Sequence, residues 1–245
     1  MDARLDASRG LEKRAEEGLP FARPLGRQPM LAAREAGRRF GDQTALQPTT
    51  LEIHGNEAVA LLGPNGAGKS TLLALLAGGL EPTWGRIEVQ PGVRVGWTPQ
   101  RPAHYGRLSA RENLELFASL EELPDPAAEA GRLLGEFELP DEPHPSARLS
   151  VGNRQRLNLA ISLIGSPDAL LLDEPTAALE PSQRRRLWET VAAVRDRGGA
   201  AVFATQNLEE LEGRADRVAV LLDGALFFDG AFPEYKRSDA ARVLA

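Results

Sequence analysis

The chain contains no cysteine, so disulfides, thiolate nucleophiles and cysteine-bound metals are excluded together. Histidine is nearly as scarce. His54, His104 and His144 are scattered and show no metal-ligand spacing. No apolar stretch approaches the ~20 residues that span a bilayer. The N-terminus carries charges where a signal peptide has an apolar centre. These absences predict a cytoplasmic protein, peripheral on the inner face of a membrane only if a partner holds it there. Lysine is almost missing too: the 29 basic residues include only Lys13, Lys69 and Lys236. A net charge of −6 opposes nucleic acid as a partner.

What is present starts with a hydrophobic fraction of 42% in 245 residues, enough for a sizeable core. One stretch is more informative than any other: Gly63-Pro64-Asn65-Gly66-Ala67-Gly68-Lys69-Ser70-Thr71. It matches the phosphate-binding pattern G-x-x-x-x-G-K-[ST]. Ala58-Val59-Ala60-Leu61-Leu62 before it reads as a buried strand, and Leu72-Leu73-Ala74-Leu75-Leu76 after it as a helix. Glycines let successive backbone N–H groups turn inward around a phosphate. The helix start adds free N–H groups and a positive dipole end. Lys69 supplies a point charge for the outer phosphates, and Ser70 a hydroxyl for Mg2+. The plain alternative is a glycine-rich turn that binds nothing.

Residues 1–28 are charged and broken by glycine and proline, and read as a flexible N-terminal extension. Residues 29–240 read as one α/β domain. Met30 to Ile53 predicts short strands and turns, with Gly41-Asp42 turning the chain. Ser109-Ala110-Arg111-Glu112 has capping-box spacing and predicts a helix start. Residues 103–155 read as a helical insertion. Apolar runs at 169–172, 200–203 and 218–222, separated by helical patterns, favour a mainly parallel sheet. Asp223-Gly224 predicts a late hairpin. Arg184-Arg185-Arg186 and Glu209-Glu210-Leu211-Glu212 both read as solvated helix faces.

Two further motifs narrow the class. Leu170-Leu171-Leu172-Asp173-Glu174 ends a strand with two carboxylates at the sheet edge where α/β proteins bind ligands. Asp173 suits a magnesium site and Glu174 a general base toward water. Leu149-Ser150-Val151-Gly152-Asn153-Arg154-Gln155-Arg156 ends 17 residues before Asp173. Ser150 suits a helix N-cap, which leaves N–H groups free for an anion.

With these three motifs the chain resembles the ABC ATPase family, whose signature is close to L-S-G-G-Q-x-Q-R. The resemblance covers about residues 31–235. It implies a P-loop NTPase fold: a RecA-like, mainly parallel sheet with an N-terminal antiparallel β subdomain and an inserted helical subdomain. It implies ATP and Mg2+ as cofactors. It implies that Ser150 and Gly152 of one subunit close over the γ-phosphate held by a second subunit's loop. Gln100, in Trp97-Thr98-Pro99-Gln100, matches the family's magnesium-contacting glutamine. Phe40 falls where the family stacks an aromatic on adenine, a core role being the alternative. Trp84 and Trp97 read as structural.

Some positions depart from the family pattern. Val151 stands for a signature glycine, and a β-branched residue there requires ordinary helical dihedrals. Asn153 stands for glutamine. Glu180 replaces the aspartate of the S-A-L-D loop. Gln206 stands where the family usually has histidine; it still donates a hydrogen bond but cannot titrate near neutral pH. The expected function is the ATP-hydrolysing subunit of an ABC transporter, similar to drug-export ATPases, with a second ATPase subunit. The resemblance places an integral-membrane permease near Tyr105, Leu108 and Phe117. The alternative is a degenerate, low-turnover ABC module that binds ATP as a regulatory or asymmetric partner. Charge disfavours DNA or ribosome work; the ~50 residues between Gln100 and Ser150 are too few for the coiled-coil insertion of DNA-repair relatives, and ribosomal relatives normally carry two ATPase domains in one chain.

Overall fold

The computed structural model describes residues 28–101, 103–176 and 179–244. The N-terminal extension expected at residues 1–28 therefore lies outside the described residues, except for Gln28. Nine strands alternate with seven helices among the described residues. The strands are β1 (Leu31–Phe40), β2 (Gln43–Ile53), β3 (Glu57–Leu62), β4 (Trp84–Val89), β5 (Val95–Thr98), β6 (Ala169–Asp173), β7 (Ala200–Ala204), β8 (Arg217–Leu222) and β9 (Ala225–Ala231). The helices are α1 (Lys69–Leu76), α2 (Ala110–Leu120), α3 (Pro126–Glu136), α4 (Val151–Ser162), α5 (Pro181–Asp196), α6 (Phe232–Tyr235) and α7 (Asp239–Leu244).

The apolar run before the phosphate-binding pattern becomes β3, in the interior of a six-stranded sheet ordered β5-β6-β7-β3-β8-β9. All its pairs are parallel except β8 with β9. Leu61 pairs with Ala204, Ala204 with Asp173, and Leu172 with Thr98. Parallel pairing therefore brings the carboxyl ends of β3, β7, β6 and β5 to one edge. That is where open α/β sheets place ligands.

Alternation along β3 divides the core. Ala58, Ala60 and Leu62 join a cluster with Leu157, Leu187 and Leu133. Val59 and Leu61 face a second cluster built with Leu72, Leu73, Leu75 and Leu76 of α1. A strand buried on both faces needs a continuous apolar run, and this one has it. Helix α1 touches β1, β2 and β6, so it is enclosed by both sheets. Its leucines are all fully buried. Each such burial stabilises by about 1.5–3 kcal/mol, and enclosure leaves α1 no need of a polar stripe.

The second sheet, ordered β2-β1-β4, is antiparallel. Here the structure differs from the expected short strands: Met30 to Ile53 forms one hairpin with arms of 10 and 11 residues. Its register shifts between Ala33 and Ala36, Ala36 and Arg38, and Arg38 and Arg39. Such bulges bend a long ribbon and interrupt its alternation, which hid the arm length in the sequence. The turn falls at Gly41-Asp42 and the late hairpin at Asp223-Gly224, as expected.

Between β5 and β6 lie α2, α3 and α4. The capping box at α2 is complete: the Ser109 hydroxyl accepts from the Glu112 N–H at 3.2 Å, and the Glu112 carboxylate accepts from the Ser109 N–H at 2.8 Å. Helix α4 runs unbroken to Ser162, so residue 155 falls inside it.

Fully buried Asn113 organises the loop ahead of α2. Its Oδ1 accepts from the Tyr105 N–H at 2.7 Å, and its Nδ2 donates to the Ser109 carbonyl at 2.8 Å. Replacing it by leucine strands these buried groups, and each unsatisfied buried group costs about 1–3 kcal/mol. Asn113→Leu is expected to lower stability by roughly 2 kcal/mol in urea unfolding and to speed amide exchange at Tyr105. Unchanged exchange at Tyr105 would refute this role.

Candidate functional site

The loop from Gly63 to Gly68 depends on glycine for two separable reasons. Gly63 has φ 148, and a Cβ there would lie 2.2 Å from the Leu221 carbonyl oxygen. Gly68 has φ 98, and a Cβ would lie 2.7 Å from the Ala45 carbonyl oxygen. Both positions combine left-sided dihedrals with close backbone approach, which only glycine satisfies. Pro64, Asn65 and Gly66 at the tip are exposed, and Ala67 is buried beneath them.

Lys69 opens α1 and is 5% exposed. Its Nζ donates to the carbonyls of Gly63 at 2.7 Å and Pro64 at 3.0 Å. The loop is thus tied by the cation it presents. Burial lowers the Lys69 pKa, and the Glu174 and Asp173 carboxylates act in the opposite direction. Burial raises the Asp173 carboxyl above the usual range, against hydrogen bonds from the Ser70 hydroxyl and the Gln100 backbone N–H. Ser70, Gln100 and Asp173 therefore meet at one point, although they come from α1, the segment after β5, and β6. Thr71, one residue further into α1, is half-buried.

Glu174 follows Asp173 with φ 49. A left-handed backbone costs a non-glycine residue about 1–2 kcal/mol. Here the turn leaves the strand at once, while the Glu174 N–H still donates to Ala204 O at 3.0 Å. The Glu174 carboxylate accepts from Gln206 Nε2 at 2.5 Å, and the same amide donates to Asn65 Oδ1 at 2.8 Å. One side chain joins the phosphate-binding loop, the end of β6 and the segment after β7. The Asn65–Gln206 contact was not foreseeable, because nothing local pairs residues at that separation.

Other expected residues stand apart. Phe40 is 47% exposed with the Arg38 guanidinium 4.9 Å from its ring centre, which removes the core alternative. Its hairpin lies beside the loop, since Ala45 approaches Gly68. Ser150 caps α4 by accepting from the Asn153 N–H at 3.1 Å. Val151 is the first residue of α4 and has no positive φ, as its β-branching required. Among the described residues, no hydrogen bond joins Ser150 or Gly152 to the phosphate-binding loop. Helix α4 nevertheless reaches the Glu174 segment, where Gln155 Nε2 donates to Pro175 O at 3.4 Å.

The two charged faces have different fates. Arg184, Arg185 and Arg186 are exposed, with Arg186 paired to Glu138 at 2.6 Å. The expectation for Glu209–Glu212 needs correction at Glu210, which is 5% exposed. A 3-10 turn at Leu208–Glu210 tucks it inward beside fully buried Leu211, leaving Glu209 and Glu212 in solvent. A run of like charge hides such a residue, because only tertiary packing distinguishes it from its neighbours.

The described residues contain no cluster of three His, Cys, Asp or Glu able to hold a metal alone. The Ser70 hydroxyl and the Asp173 carboxylate bring oxygen donors together, which fits a hard cation such as Mg2+ shared with phosphates. No helix among the described residues is long and apolar enough to cross a membrane.

A phosphate loop after the central strand, an Asp-Glu pair two strands away, and a serine-capped helix in an inserted helical region define an ATP-binding cassette. Residues 46–177 match the ABC transporter family, and the chain belongs to it as an ABC-type ATPase and ATP-binding subunit. It is 38% identical to a daunorubicin resistance ATP-binding protein of Streptomyces coeruleorubidus, over 82% of this chain and 68% of that one. It is 33% identical to a Nod factor export ATP-binding protein of Ralstonia nicotianae, over 84% and 68%. The human ATP-binding cassette sub-family A member 6 is 32% identical over 75% of this chain, which spans only 12% of that protein. A solved structure of an ATP-binding subunit of an ABC transporter is 27% identical with TM-score 0.77, over 87% of this chain and 94% of the other. A dimeric cassette bound to ADP and Pi shares the fold at TM-score 0.73 and 23% identity, over 82% and 98%.

Proposed function

We propose that this chain hydrolyses Mg-ATP at a head-to-tail interface with a second ATPase subunit and so drives export through a separate membrane permease. The observation that carries the reading is the convergence of Lys69, Ser70, Asp173, Glu174 and Gln206 at one sheet edge. In this reading the loop amides from Gly63 to Thr71 and Lys69 neutralise the phosphates, and Phe40 stacks on the base. Ser70, Gln100 and Asp173 hold Mg2+, which supplies charge neutralisation at the phosphoryl oxygens. Glu174 orients the attacking water and accepts its proton. Catalysis is then positioning and electrostatics rather than covalent chemistry.

The site is one-sided: Pro64, Asn65, Gly66, Ser70, Gln100 and Gln206 are all exposed. Ser150 and Gly152 present their capped helix end elsewhere on the chain. A second copy bringing its Ser150 end over this loop would complete the enclosure, and the dimeric cassette with ADP and Pi has a matching fold. Export is supported by the likeness to the Nod factor export protein of Ralstonia nicotianae, while the Streptomyces relative is named for daunorubicin resistance. For the permease, the exposed Tyr105 ring, stacked at 6.0 Å on Phe117 beside half-buried Leu108, offers an aromatic docking point. A cytoplasmic location at the inner face of the membrane follows from that partner.

The low-turnover alternative has one observation in its favour. Gln206 donates to one oxygen of the Glu174 carboxylate and ties it to Asn65, which competes with water for that oxygen. Replacing Gln206 by histidine is expected to raise ATPase or leave it unchanged, because an imidazole can still donate to the γ-phosphate side. Steady-state phosphate release from purified protein, alone and with its permease, checks both readings. A large loss of rate on Gln206→His would show that this segment has been misassigned.

A further inference from the structure

Glu210 is a buried carboxylate with no cation beside it among the described residues. Its Oε1 accepts from the Thr176 hydroxyl at 2.7 Å, and its Oε2 from the Thr205 hydroxyl at 2.9 Å. Thr176 lies two residues after Glu174, and Thr205 immediately precedes Gln206. Both threonines are buried. The Thr205 hydroxyl also accepts from the Asn207 N–H at 3.0 Å, which fixes the backbone on the far side of Gln206. The Glu210 N–H donates back to Asn207 O at 3.1 Å. Each carboxylate oxygen thus holds a different catalytic segment from beneath, at the place where the Gln206 amide bridges them from above.

Burying a carboxyl group against two hydroxyls is a costly way to fill space. What the carboxylate provides is two acceptors at fixed separation. A neutral amide provides one acceptor and must turn an N–H toward the other threonine.

We infer that Glu210 is a positioning residue for hydrolysis. It sets the Glu174 segment against the Gln206 segment, and it has no part in holding the nucleotide. The inference rests on the proposed ATPase reading and deepens it. It requires the cost of losing Glu210 to fall on the chemical step, because Lys69 and the loop amides that grip phosphate do not depend on it.

The test is steady-state ATPase, equilibrium binding of a fluorescent ATP analogue and thermal unfolding, on wild type, Glu210→Gln, Thr176→Val and Thr176→Ser. Glu210→Gln is expected to lower kcat by about tenfold or more while KM and analogue affinity stay within about twofold. Thr176→Val, which keeps shape but loses the hydroxyl, reproduces the kcat loss. Thr176→Ser, which keeps the hydroxyl, restores a kcat near that of wild type. A Glu210→Gln enzyme with unchanged kcat overturns the inference. So does one in which kcat, affinity and thermal midpoint fall together, since that pattern is general loosening. Lys69→Ala separates the levels: if wild type has no ATPase, or Lys69→Ala leaves it intact, the ATPase reading itself fails. An active wild type with an indifferent Glu210→Gln sinks the positioning role alone.

Discussion

Glu174→Gln is expected to abolish turnover while leaving ATP binding intact. A positioned general base contributes about 10²–10⁴-fold, so phosphate release should fall by at least two orders of magnitude. The substitution keeps the shape and removes the charge. The amide no longer accepts a proton from water, and its backbone still donates to Ala204 O. Loops that hold phosphate are untouched, so ATP should now accumulate in the closed, two-subunit form. Size-exclusion chromatography with Mg-ATP reads that form directly. A Glu174→Gln protein that hydrolyses ATP at near the wild-type rate would remove Glu174 from the mechanism.

A second large effect tests the geometry between subunits. Ser150→Arg should eliminate ATPase, because a bulky cation would replace the cap at the helix end that the proposed dimer sets against the partner's phosphate. Lys69→Ala should eliminate it as well, through loss of charge in the loop. Mixed together, the two inactive proteins should regain activity. In a two-fold dimer of one copy each, one composite site joins an intact loop to an intact Ser150, and the other has neither. Random pairing makes about half the dimers mixed, each with one working site, so roughly a quarter of the wild-type rate should return. No recovery on mixing, with both proteins folded, would count against a site shared between two subunits. If Ser150→Arg hydrolysed at the wild-type rate, the protein would be an ATP-binding domain acting alone.

Several site residues were legible because their chemistry is local. The glycines of the loop, Lys69 and Ser70 sit in one continuous pattern, and the backbone demand at Gly63 and Gly68 is what the pattern encodes. Asp173-Glu174 was readable for the same reason, as polar residues ending an apolar run. Val151 was readable from its Cβ branching alone. The hairpin of β1 and β2 was underestimated, because bulges interrupt its alternation. Burial of Glu210 is invisible in the sequence, because a charged run looks solvated when each residue is judged by its neighbours.

By itself, then, the sequence determined the phosphate-binding loop, the parallel α/β class, the capped helix at Ser150 and the family these motifs mark. Each of those is marked by residue patterns that are local in the chain. Only the tertiary structure decided that Gln206 would bridge Asn65 and Glu174, that Ser70 and Gln100 would meet at Asp173, and that Glu210 would lie beneath two catalytic segments. Asn65 and Gln206 are 141 positions apart, and Glu174 and Gln206 are 32 apart. Such pairs form because β3, β7 and β6 are adjacent in the sheet. That adjacency is a property of how the strands order themselves around a shared core, and no local propensity carries it.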